Sequence, residues 1–140
     1  MIDFDSHPTD NNPIGLINNI DHVRRKHDSK TLLNMMKKVT GNDAIVWGAE
    51  SIGFGQYAYI YKTGRKGNWP LISFTPSLQS ISIHVMPGFD NYTSLLEKVG
   101  HVKYSGNTLT LHKFSDINLP ALEALLKKAV YDIRKSHESR

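Results

Sequence analysis

Between residues 44 and 89 apolar and polar side chains alternate with a period of two, and Gly and Pro separate the runs. A helix would scatter such a pattern around its surface, whereas a strand sends successive side chains to opposite faces, so this stretch reads as sheet. Three short strands are predicted. Residues 56–62 put Tyr57, Tyr59 and Tyr61 on one face and Ala58 and Ile60 on the other; residues 69–75 form the second strand. Residues 80–86 form the third, with Ile81, Ile83 and Val85 facing one way and Ser82 and His84 the other. A glycine-bearing turn over 63–68 and a turn at Pro76 join them, and Pro87 and Gly88 stop the run. An antiparallel meander of this kind needs helices over its apolar face.

The flanking sequence supplies those helices. Pro13 opens a short one over 14–20, with Leu16, Ile17 and Ile20 as its stripe, and the basic run 22–27 (HVRRKH) reads as a connector or helix end. Asp28 or Ser29 is predicted to cap the next helix, in which Leu32, Leu33, Met35, Met36 and Val39 recur at helical spacing before Gly41 ends it. Asp90 is predicted to cap a helix through Leu95, Leu96 and Val99, closed by Gly100, and residues 109–114 give a fourth strand. Asn118 and Pro120 then open a long helix with Leu122, Leu125, Leu126, Ala129, Val130 and Ile133 on one face. The expected class is α+β: an antiparallel sheet of four or five strands packed against helices, one domain over 14–136 behind a flexible segment 1–13.

Several functions are excluded by composition. The 140 residues include no cysteine, which removes disulfides, thiolate metal sites and a thiol nucleophile together. No apolar run approaches the ~20 residues of a membrane span, and the first twelve residues are acidic and polar where a signal peptide is basic and then apolar. The expectation is a cytoplasmic protein without membrane contact. A net charge of +4 permits an anionic partner without requiring one, and its basic residues gather at 24–26, 37–38, 62–66 and 127–140.

Gly53, Gly55 and Ala58 match a dinucleotide fingerprint, G-x-G-x-x-A, but an alternating strand follows where a helix should start, and no acidic residue lies about twenty positions on. These glycines are expected to shape the approach to a strand. The seven histidines show no metal-ligand spacing; His84 and His112 lie on different predicted strands and meet only if those strands pair suitably. The tyrosine row beside basic residues has the makings of a base-stacking platform, although aromatic strand residues commonly pack under a helix instead. Nucleic acid is not the expected partner. Trp47 and Trp69 fall near strand ends, and Glu50 is the carboxylate best placed to join Trp47 in a pocket. Acid or base roles for Glu50, His84 or His112 require a fold that brings them together.

The combination Val39-Thr40-Gly41, Trp47-Gly48, Ser51, Gly53-Phe54-Gly55, Tyr57, Tyr59, Gly64, Trp69-Pro70 and Phe74-Thr75-Pro76 resembles the bacterial domain of unknown function 1801, the YdhG-like domain. The likeness continues through Met86-Pro87-Gly88-Phe89, Leu95-Leu96, Gly100, Lys103, Asp116 and the last helix, over about residues 28–135. It implies a compact α+β domain, and because one described member is a frataxin-like iron chaperone, iron binding is an alternative role. The chain departs from the family at Ser77-Leu78-Gln79, where a basic pair is usual, and at 105–110, where Gly-Lys-Ser-Cys-Leu-Tyr is usual. The expected function is a non-catalytic ligand-binding or accessory module, with single-stranded nucleic-acid binding as a further alternative. The candidate ligand-binding residues are Trp47, Glu50, Phe54, Tyr57, Tyr59 and Trp69, with no cofactor or resident metal and with a small molecule or protein as partner.

Overall fold

The computed structural model describes residues 8–48, 50–60, 66–77, 79–85, 88–100 and 102–137, those at 57–60, 66–68 and 136–137 by their backbone. Helix α1 (Pro13–Asn18) starts where Asn12 Oδ1 accepts from the amides of Ile14 at 2.9 Å and Gly15 at 3.4 Å. Pro13 sits in its first turn, where a missing N–H costs nothing.

Helix α2 (Val23–Thr40) begins well before the predicted cap at Asp28 or Ser29. Its cap is His22, whose Nδ1 accepts from the Arg25 amide at 3.2 Å, so that nitrogen carries no proton. The HVRRKH run therefore forms the first turns of α2. Asp28 and Ser29 are buried within the helix, and Asp28 Oδ2 accepts from the Phe114 amide at 3.3 Å, far away in sequence. At the other end Gly41 closes α2, as expected, and Arg134 Nη2 donates to Thr40 O at 2.6 Å and Asn42 Oδ1 at 3.0 Å. A side chain from the last helix thereby satisfies a terminal carbonyl.

Asp90 opens a 3-10 turn (Asp90–Tyr92) and does not cap helix α3 (Thr93–Val99), which has no side-chain cap. Helix α4 (Leu119–His137) follows Asn118, whose Oδ1 accepts from the Ala121 amide at 3.1 Å. The Tyr92 hydroxyl, on a buried ring, donates to Asp132 Oδ2 at 2.8 Å and ties the 3-10 turn to α4. Burial, reinforced by the Asp132 carboxylate, pushes the phenol pKa well above its ordinary value. Tyr92→Phe should lower the unfolding free energy by about 1 kcal/mol in urea, because Asp132 keeps water and Lys128 as partners. An unmoved midpoint would show that the hydroxyl contributes nothing net.

The described residues hold an antiparallel sheet of six strands, ordered β1 (Ala44–Trp47), β2 (Ser51–Phe54), β5 (Ile72–Pro76), β6 (Ile81–Val85), β8 (Thr108–Leu111) and β7 (Lys103–Ser105). The α+β class holds, with six strands where four or five were expected. The additions are β1, β2 and β7. The first two are four-residue strands around a tight turn, and all of β7 is exposed, so it carries no burial pattern to read.

A separate ladder pairs β3 (Tyr57–Ile60) with β4 (Lys66–Trp69). The predicted strand 69–75 is thus two strands, split because Pro70 offers no amide to the ladder. Phe54 pairs with Ile72 before the split and Tyr57 with Trp69 after it, so the register runs unbroken from β2/β5 into β3/β4. The two ladders form one long hairpin with a bend in it. Gly55 makes the bend at φ 71, a conformation only glycine takes without strain, and Leu71 N donates to Phe54 O at 3.0 Å across it. Tyr61 and most of the predicted turn, 61–65, lie outside the described residues.

One sheet face makes the core. Ile52, Phe54, Ile72, Phe74, Ile81, Ile83, Val85, Leu109 and Leu111 pack there with Leu32 and Met36 of α2, Leu96 and Val99 of α3, and the predicted stripe of α4. Each buried side chain of this kind contributes about 1.5–3 kcal/mol relative to exposure. The chain before α1 also docks: Pro8 bridges Trp47, and Thr9 donates to Val46 O from both its amide and its hydroxyl at 2.8 Å. The expected loose segment is therefore anchored from Pro8 onward.

Candidate functional site

Antiparallel pairing sends three loops to the same end of the sheet: the β1–β2 turn with Glu50, the β5–β6 turn with Ser77 and Gln79, and the exit of β8 with His112 and Lys113. The strand order then fixes their sequence along that end. From β2 through β5 and β6 to β8 is three inter-strand steps, which separates Glu50 from Lys113 by ~14 Å at backbone level. The α1–α2 connection, residues 19–22, adds a further wall.

Between them lies a cleft of about 1090 Å³, whose apolar wall is Leu16, Ile20 and Pro76 and whose polar wall includes Asp21, Glu50, Ser77 and Ser80. A smaller recess of about 360 Å³ is lined by His22, Arg24, Arg25, Gln79, His112 and Lys113. His22, Arg25 and Gln79 border both cavities, so the two are neighbours.

Local bonding holds this geometry. The Ser77 amide and hydroxyl both donate to Ser80 O, at 2.8 and 2.9 Å, closing the β5–β6 turn. His112 Nδ1 lies 3.1 Å from Gln79 O, which fixes the imidazole against that turn. The Asp28–Phe114 bond matters most, since it clamps the segment after β8 onto α2 one turn beyond Arg24 and Arg25. That clamp is why Lys113 shares a recess with two arginines from the far side of the chain. Arg24 and Lys113 are exposed and have no acidic partner among the described residues, whereas Arg25 is buried.

Of the predicted ligand-binding residues whose side chains are described, Glu50 alone lines this cleft. Trp47 is 1 % exposed and lies on the outer face of the sheet, its indole over Gly53, while Phe54 points into the core on the opposite face. Those two side chains cannot border one cavity. Trp69 is buried and stands opposite Tyr57 in the ladder; the side chains of Tyr57 and Tyr59 lie outside what is described. No helix follows Gly55, since the chain continues as β3, in keeping with glycines that shape backbone.

Glu50, His84 and His112 do not converge either. β6 and β8 do pair, but His84 faces Thr108 in mid-ladder while His112 lies past its end. On the outer sheet face Ser51 Oγ and Thr75 Oγ1 are 2.8 Å apart, and the two nitrogens of His84 lie 3.4 Å from the hydroxyls of Thr75 and Thr108. Burial lowers the His84 pKa to about 4. Ser73, cross-strand from His84, is fully buried and its hydroxyl has no hydrogen-bond partner among the described residues. His84 and Ser73 are buried and Ser51, Thr75 and Thr108 half-buried, and this line of groups reads as structure. Among the described residues no group of three or more His, Asp or Glu gathers to hold a metal, and no helix is long and apolar enough to cross a membrane.

The recess residues were visible in the sequence as the basic cluster at 24–26 and the departure at 77–79, but nothing along the chain joins them. Comparisons with protein-family models, with curated proteins and with solved structures find no match to this chain.

Proposed function

We propose that this chain is a non-catalytic ligand-binding module whose ligand occupies the cleft at the end of the sheet. The observation that carries this reading is the cleft itself: a concavity of about 1090 Å³, with an apolar wall and a few convergent polar groups, drawn from three separate connections. Its walls rest on a rigid sheet and on two capped helices, as a preformed site requires. The resemblance to YdhG-like domains supports the same scale of object, a small accessory domain.

Backbone amide shifts against a panel of metabolites test the assignment. The expected result is that ligands move the amides of 19–25, 50, 77–80 and 112–113 together. Shifts confined to the neighbourhood of Trp47 and Trp69, or none at all, would defeat it.

A further inference from the structure

The two ends of the cleft differ in charge, and the difference specifies a ligand. At the β8 end, Arg24, Arg25 and Lys113 bring three permanent positive charges to a recess that no carboxylate lines among the described residues. They come from two elements that the Asp28–Phe114 bond helps hold together, and the exposed pair, Arg24 and Lys113, forms no ion pair among the described residues. Bringing Arg24 and Lys113 together costs free energy that a shared anion offsets. At the opposite end stands the carboxylate of Glu50, and the cleft between is lined by Asp21 and by an apolar wall of Leu16, Ile20 and Pro76.

We infer that the cleft takes a small bipolar organic phosphate, its oxyanion in the recess of Arg24, Arg25 and Lys113, its body along the apolar wall, and an amine or other donor toward Glu50. This rests on the cleft being the ligand site, and it adds the class and the direction of the ligand. Arginine and lysine together suit a phosphate, one as a planar fork and the other as a point charge. A polynucleotide fits less well, because a groove that tracks a phosphate backbone is cationic along its length, and this one is interrupted by Asp21 and ends at Glu50.

The test uses 6-aminohexyl phosphate, hexyl phosphate and 6-aminohexanol as probes, titrated by calorimetry and followed by amide shifts. Affinity should fall in that order, and loss of the phosphate should weaken binding about tenfold or more. Arg24→Gln with Lys113→Gln should weaken both phosphates by a similar factor and leave 6-aminohexanol unchanged. Glu50→Gln should abolish only the advantage of the amine. All three positions are exposed, so these variants keep the fold.

Equal binding of the alcohol and the phosphates, or a phosphate preference that survives the double substitution, would overturn the inference. So would an oligonucleotide that binds more tightly than 6-aminohexyl phosphate. If none of the probes binds while other compounds shift the cleft amides, the phosphate assignment falls and the cleft remains the ligand site. If no compound shifts them, both fall.

Discussion

Acidification from pH 7 to pH 4 is expected to remove about 3 kcal/mol of stability through one residue, His84. Its pKa falls from the ordinary 6.5 to about 4 because burial penalises the charged ring. The native state therefore holds the neutral imidazole, and between those two values the unfolded chain binds the proton more tightly. The contribution is complete above pH 6.5, declines as pH falls through the window, and is gone near pH 4. Urea midpoints measured across this window should slope for the parent chain and flatten for His84→Gln. Asp132 does not confuse the reading. The Tyr92 hydroxyl holds its carboxyl below the usual range, so whatever it adds is present above the ordinary carboxylate pKa and is lost only below that window. An unchanged slope in the glutamine variant would place the acid sensitivity elsewhere.

Gly53→Val should destabilise the fold by about 3 kcal/mol, and Gly53→Ala by about half of that. A Cβ at this position would stand 2.7 Å from two atoms of the Trp47 indole and 2.8 Å from Pro70 Cβ. Neither neighbour is a flexible chain end: Trp47 is fully buried and Pro70 is a ring in the backbone. A strand interior ordinarily favours a side chain, so the glycine here is the cost of laying an indole flat across the ladder. Trp47→Phe should relieve part of the alanine penalty, and a double-mutant cycle measures how much. Strict additivity in that cycle would show that the ring does not set the limit.

Periodicity made the interior legible. The α4 stripe, the core face of β6 and the second half of α2 all pack as their apolar spacing required, because each buries a single face against a single layer. The start of α2 was not legible. Its opening turns are charged, Val23 faces solvent, and the cap is an imidazole where Ser, Thr, Asp or Asn is the usual signal. Asp28 looked like a cap and is instead a buried clamp for Phe114. The hairpin of β1 and β2 hid behind its glycines, and Pro70 broke a strand that alternation alone would have continued.

Among the described side chains, the residues predicted to bind ligand meet the candidate site at Glu50 alone, and the basic cluster at 24–26 was visible without its partners. A cleft and recess assembled together from four connections depend on which strands neighbour one another, and the order that places β8 beside β6 leaves no trace in local spacing. Trp47 and Phe54 drew attention as large aromatics near strand ends. The register decides the matter: Trp47 stands across from Ser51, and Phe54 lies an odd three positions from Ser51 along β2, so the two face opposite sides.

The segment laid against β1 has a consequence for how the molecule meets its neighbours. Pro8 is the residue bridged to Trp47, and proline has no amide hydrogen to hand on to a further chain. At the far border, β7 is three residues long, exposed, and begins with a lysine. A stranger seeking to extend the sheet finds a blocked margin on one side and a short charged one on the other, so lateral growth into fibrils is discouraged at both borders.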